Sequence, residues 1–270
     1  MFYAKLKIIL ICLFLIIYWS PEAASENWQR IKGKHFIVYY ANDSQAAKEV
    51  LEKSEYYYDK IASDLGYNRY SSFWSWDNRV KVYVYSNKDE YSSFLKKHRH
   101  PVWAAGVANY DTKEIVTYAH NKEFIDSVLP HEITHLIFRD YVGTTNIPIW
   151  IDEGVAQWQE KGRASFAKRK MKKLLANYTP IPIERLTTLN IGKVENEAIV
   201  ELFYVQSISL IDFLVKSYGG DKFVIFCRHL RSGKDLNEAL KFTYPTSVRS
   251  VDVLYDQWLE YIFDKNNEEK

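Results

Sequence analysis

The sequence predicts an α+β protein, with a sheet lobe first and a helical lobe after it. Three observations carry this. Alternating, extended segments lie before residue 120, and segments with helical period dominate beyond it. The turn-like stretch "YVGTTNIPI" at 141–149 forms a seam. The organisation read from this is a leader at 1–24, a sheet lobe at 25–140 that ends in a histidine-bearing helix, and a helical lobe at 141–270.

The leader has a basic head (Lys5, Lys7), an uncharged apolar run from Ile8 to Trp19, and a small-residue end (Ala23, Ala24, Ser25). That is the pattern of a secretory signal peptide. The run has 12 residues, whereas a spanning helix needs about 20. The expectation is a secreted or extracytoplasmic protein. An uncleaved anchor, with membrane association through the N-terminus, is the alternative. Leu10 and Ile11 before Cys12 lack the small residue a lipoprotein signal would carry.

"HFIVYYAND" reads as a strand running into a turn. Ala46, Ala47, Val50, Leu51, Tyr57, Tyr58 and Ile61 then fall on one helical face, capped by Asp43 or Ser44 and ended by Gly66. "RVKVYVYSN" alternates Val80, Val82 and Val84 with Lys81, Tyr83 and Tyr85, a strand. A short helix follows in "KDEYSSFLKKH". "WAAGVANYDTKEIVTYA" gives two extended runs split by "YDTK", a hairpin. Helical period then marks "NKEFIDSVLPHEITHLIFRD", "WIDEGVAQWQEK" and "SFAKRKMKKLLAN". The long "EAIVELFYVQSISLIDFLVKSY" is ended by Gly219 and Gly220. Three last helices carry cap signals at Asp221, Asp235 and Ser250.

With 47 % hydrophobic and 26 % charged residues in 270, a packed core is expected. The net charge is +2, and removal of Lys5, Lys7 and Glu22 with the leader lowers it by one. Such a balance argues against nucleic-acid binding. Of the two cysteines, Cys12 is in the leader, so Cys227 has no intrachain partner afterwards and reads as a buried thiol. The basic face of "KRKMKKLL" reads as solvated, with contact to an anionic surface as the alternative.

The chemistry concentrates in "LPHEITHLIF". His131 and His135 are four apart, so a helix puts both imidazoles on one face, where they can reach one ion. Glu132 points about 100° round the helix, able to reach a metal-bound water without being a ligand. A shuffled chain of this composition would show the pattern about once in a hundred chains, so a core helix carrying two histidines is a real alternative. A third ligand weighs against it. In "IPIWIDEGVAQW", Asp152 and Glu153 interrupt an apolar face, and a carboxylate there is costly without a cation. Gly154 leaves room for close backbone approach. Gln157, one turn past Glu153, could orient a ligand.

"HEITH" followed by "WIDEGVAQW" resembles the gluzincin metallopeptidases, and specifically the peptidase MA-like family related to the aminopeptidase catalytic domain. The resemblance implies a zincin-like fold: a small mixed sheet lobe with the active-site helix, then a helical C-terminal lobe. It implies Zn2+ held by His131, His135 and Glu153, with Glu132 as general base and a peptide or protein as substrate. The gap between the two motifs is one residue shorter than in typical aminopeptidases of the clan, which leaves Asp152 as a weaker candidate ligand. Tyr204, in "FYVQSISL", matches the family tyrosine that donates to the developing oxyanion; a core tyrosine is the alternative. "AAGVANYD" resembles the edge strand that receives extended substrate, with Gly106 permitting close approach. The clan's exopeptidases carry an acidic residue there that holds the substrate's free amine, whereas this chain has Ala108 and Asn109. The expectation is therefore an endopeptidase. The alternatives are a non-catalytic binding or scaffold protein on the same fold, and a membrane-tethered aminopeptidase-like enzyme. The sequence is silent on oligomeric state.

Overall fold

The computed structural model describes residues 28–67, 74, 78–143 and 147–264. The leader lies outside the described residues. The chain divides into two compact units: one runs to Ile61 and includes 68–136, and the other holds 62–67 and 137–270.

The first unit is built on a five-stranded mixed sheet. Its strands are β1 (Gln29–Lys32), β2 (Phe36–Tyr40), β3 (Val80–Tyr85), β4 (Val107–Asn109) and β5 (Glu114–Tyr118), in the order β1-β2-β3-β5-β4. The β2/β3 and β3/β5 pairs are parallel, and the outer pairs are antiparallel. Parallel neighbours need crossovers. The helices α1 (Ser44–Asp64) and α2 (Lys88–Lys97) lie in those connections. Alternation along β3 buries Val80, Val82 and Val84 on one face and sends Tyr83 and Tyr85 to the other. The second face meets α2 through Tyr91, Phe94 and Leu95. Each such aliphatic side chain contributes about 1.5–3 kcal/mol by burial, so Val82→Asp would break the sheet core.

The helix starts follow the sequence signals. Asp43 Oδ1 accepts from the N–H groups of Gln45 and Ala46 at the head of α1. The Ala46 donor leads in holding the Asp43 carboxyl below its usual range. Asn87 caps α2 in the same way. Past the end of α1, Gly66 takes the left-handed conformation that favours glycine, with φ 71°.

In the second unit α7 (Glu197–Tyr218) is the central element. Packed on it are α4 (Ile149–Gln159), α5 (Arg163–Leu175), α8 (Gly220–Arg231) and α10 (Val251–Phe263). By length and composition α7 could cross a membrane, but most of it is buried inside the protein, as in a soluble core helix. Gly154 of α4 makes its close approach possible: a Cβ there would lie 2.7 Å from the Ser207 carbonyl oxygen. Two buried polar links bind this core across its elements. Gln206 both accepts from and donates to the Ile181 backbone, at 2.9 and 2.8 Å, and Trp258 Nε1 donates to Ser209 Oγ.

The caps at Asp235 and Ser250 form as expected, the first as a full capping box with Glu238. The cap expected at Asp221 does not form. Gly219 ends α7 and also serves as N-cap of α8, so Asp221 falls inside the first turn. Three elements have no counterpart in the sequence reading: β1, the short α6 (Ile183–Thr188) and a 3-10 turn at Ile191–Lys193.

Candidate metal centre

The helix that carries the motif, α3 (Leu129–Val142), grows directly out of a π-helical turn at Phe124–Val128. Pro130 gives a physical reason for the wider turn. It has no N–H to donate, and its ring crowds the carbonyl four residues back. Asn121 anchors the entry, accepting from Phe124 N–H and donating to the Ala105 carbonyl at 2.7 Å. Gly106, expected to let a substrate come close, is occupied on that side by the protein itself. A Cβ there would meet the Phe124 ring at 2.7 Å.

On α3, His131 is 5 % exposed, Glu132 3 % and His135 0 %. The two Nε2 atoms are 3.1 Å apart, with the rings at 81°. Glu153, on α4, is also fully buried. The ligand atoms of His131, His135 and Glu153 all lie within 4.8 Å of one another. The donor set fits a metal: two imidazole nitrogens and a carboxylate suit a three-ligand zinc site with an open fourth position. Two nitrogens each about 2.05 Å from a tetrahedral ion would sit about 3.3 Å apart, close to the spacing found.

Asp152, the weaker candidate ligand, faces other chemistry. Its Oδ2 accepts from both Nε and Nη2 of Arg139, at 3.0 and 2.7 Å. Gln157 does not touch the Glu153 carboxylate. Its amide donates to the backbone carbonyls of Glu153 and Tyr204, at 3.2 and 3.1 Å, and its Oε1 accepts from Arg163. One side chain thus ties the main chain of the third ligand candidate to that of Tyr204, which is itself 2 % exposed on α7.

Glu132 has a partner that the sequence gave no reason to single out. Tyr110, in the β4–β5 turn, donates its hydroxyl to Glu132 Oε2 at 2.6 Å. Nothing in its spacing distinguishes this residue among 21 tyrosines. The remaining histidines have other neighbours. His35 bonds Glu55, His120 pairs with Asp43, His98 and His100 pack on Phe94, and His229 on Phe242. Cys227 is fully buried, and burial pushes its thiol far above the usual range.

A family model described as the peptidase MA superfamily matches residues 74–263. The chain belongs to the peptidase MA superfamily. Membership agrees with the mixed sheet, the helical lobe and the buried His-His-Glu group. A peptidase MA domain supports a metallopeptidase-like function, typically metal-dependent, with peptides or proteins as the substrate class. No curated protein matches the chain.

Proposed function

We propose that this superfamily member is an exported zinc-dependent peptidase that cleaves within polypeptides. The observation that carries the reading is the convergence of His131, His135 and Glu153 in a buried group beside Glu132. Zinc in that donor set would acidify a water to a pKa of about 7 and polarise the scissile carbonyl.

The chain's own residues supply the rest. Glu132 takes a proton from the attacking water and passes it to the leaving nitrogen, so the carboxylate is regenerated. The Tyr204 phenol donates to the oxygen on which negative charge develops. The edge strand β4 receives extended substrate by main-chain pairing, which selects little by side chain. Preference for internal bonds follows from Ala108 and Asn109 there. Asn109 has no negative charge for a free amine, and its Oδ1 already accepts from the N–H groups of Asp111 and Thr112. The basic head and apolar run of the leader support export, with retention at a membrane as the alternative.

The test is purified protein beside Glu132→Gln, assayed for metal content and for cleavage of an unfolded protein. The expected result is one zinc in each, with cleavage lost by at least about a hundredfold in the variant. Zinc without cleavage of any peptide library would replace the peptidase by a binding or scaffold protein.

A further inference from the structure

Resting on the peptidase reading, we propose that Tyr110 is a positioning residue for the general base. Its phenol holds Glu132 by Oε2 and so presents Oε1 as the atom that takes the proton from water. The hydroxyl-to-carboxylate distance is 2.6 Å, within the range of charge-assisted O–H···O⁻ bonds. Glu132 is 3 % exposed, so solvent competes little for that oxygen. A glutamate left to itself spreads over several rotamers, and only some aim an oxygen at a given point. The same tyrosine ring meets His135 edge to face, with centroids 5.7 Å apart at 72°. One side chain therefore touches both the base and a ligand candidate.

Tyr110 is itself held by the hairpin. It directly follows β4 and opens the four-residue turn to β5. Asn109 Oδ1 closes that turn on the Asp111 and Thr112 N–H groups, at 3.0 and 3.2 Å. At the far side Thr112 Oγ1 donates to Glu114 Oε2, whose partner oxygen Oε1 accepts from Lys81 Nζ on β3. Glu114 is buried, which makes this anchor hard to loosen. The chain of contacts runs from the sheet through the turn to the phenol and ends on the base. In the reaction the proton moves from water to Oε1 and then to the leaving nitrogen, while the Tyr110 O–H bond stays intact.

The experiment uses Tyr110→Phe, which removes the hydroxyl and keeps the ring against His135. Zinc content and KM are expected to stay within about twofold of the parent, and kcat to fall at least about tenfold. A role confined to packing would not give that split. A second measurement needs neither metal nor turnover: the unfolding midpoint of metal-free protein in a double-mutant cycle with Glu132→Ala. Tyr110→Phe is expected to lower the midpoint in the parent background and leave it unchanged in the Glu132→Ala background. An unchanged kcat, a kcat loss that accompanies zinc loss, or equal midpoint losses in both backgrounds would overturn the proposal. If the parent cleaves nothing, the peptidase reading falls, and the metal-free cycle still decides whether Tyr110 holds Glu132.

Discussion

The Glu55 carboxylate receives His35 Nδ1 at 2.7 Å and the backbone N–H groups of His35 and Phe36 at 2.8 and 3.3 Å. Burial works to raise its pKa, but the His35 side chain and these backbone donors outweigh it, so the carboxyl lies below the ordinary 4.5. A depressed carboxyl stabilises the fold above its unfolded value, and the contribution is lost as pH falls through the folded one. Thermal unfolding of the parent should therefore drop on acidification below about pH 4.5. Glu55→Gln should be less stable at neutral pH and show a flatter acid response. Equal acid slopes for the two proteins would contradict this. The site shows the same economy of donors. Gln157 serves two carbonyls and a guanidinium, and Arg139 spends two N–H groups on Asp152. The sequence ranked Asp152 as a weaker candidate ligand beside Glu153 through the family resemblance. What separates them is a cation thirteen residues back, whose position no spacing rule reveals.

Elements with a strong period or cap were legible. Valine alternation marks β3, and Asp43, Asp235 and Ser250 mark helix starts because their oxygens answer N–H groups that the helix cannot satisfy. β1 was not legible, since "QRIK" holds one apolar residue and stays largely exposed. Sheet order was also hidden, because parallel pairing is settled by contacts far apart in the chain. The two histidines and Glu132 were readable as a group because one helical turn relates them. Tyr110 was not, because its link to Glu132 depends on how a hairpin folds back. Gly154 joins the two levels. It was readable as a point of close approach, and the structure gives the partner as the Ser207 backbone of α7. Gly154→Ala should cost about 1–3 kcal/mol in chemical denaturation, since backbone cannot yield as a side-chain tip does. It should also weaken zinc retention by displacing the helix that carries Glu153. A stability equal to the parent's would show that α4 and α7 can separate freely.

Among the described residues the molecule has no disulfide to rely on. Cys227 is buried and free, and stability rests largely on apolar packing, to which a ligand bound by the folded state alone would add. A ligand that binds only the native form adds about 4 kcal/mol at a thousand times its Kd. Chelation should thus lower the unfolding midpoint of the parent by several degrees, and added zinc should restore it. The same treatment should leave a His135→Ala variant unchanged. A parent midpoint indifferent to chelator would count against the metal centre.

The π turn ahead of α3 sets a phase. It admits one more residue per hydrogen-bonded loop than an α-helix does, and each residue turns the helix by about 100°. The azimuth of His131 and His135 thus depends on five residues outside the candidate ligand group. Deleting one of those five would leave every candidate ligand in the sequence and aim both imidazoles elsewhere.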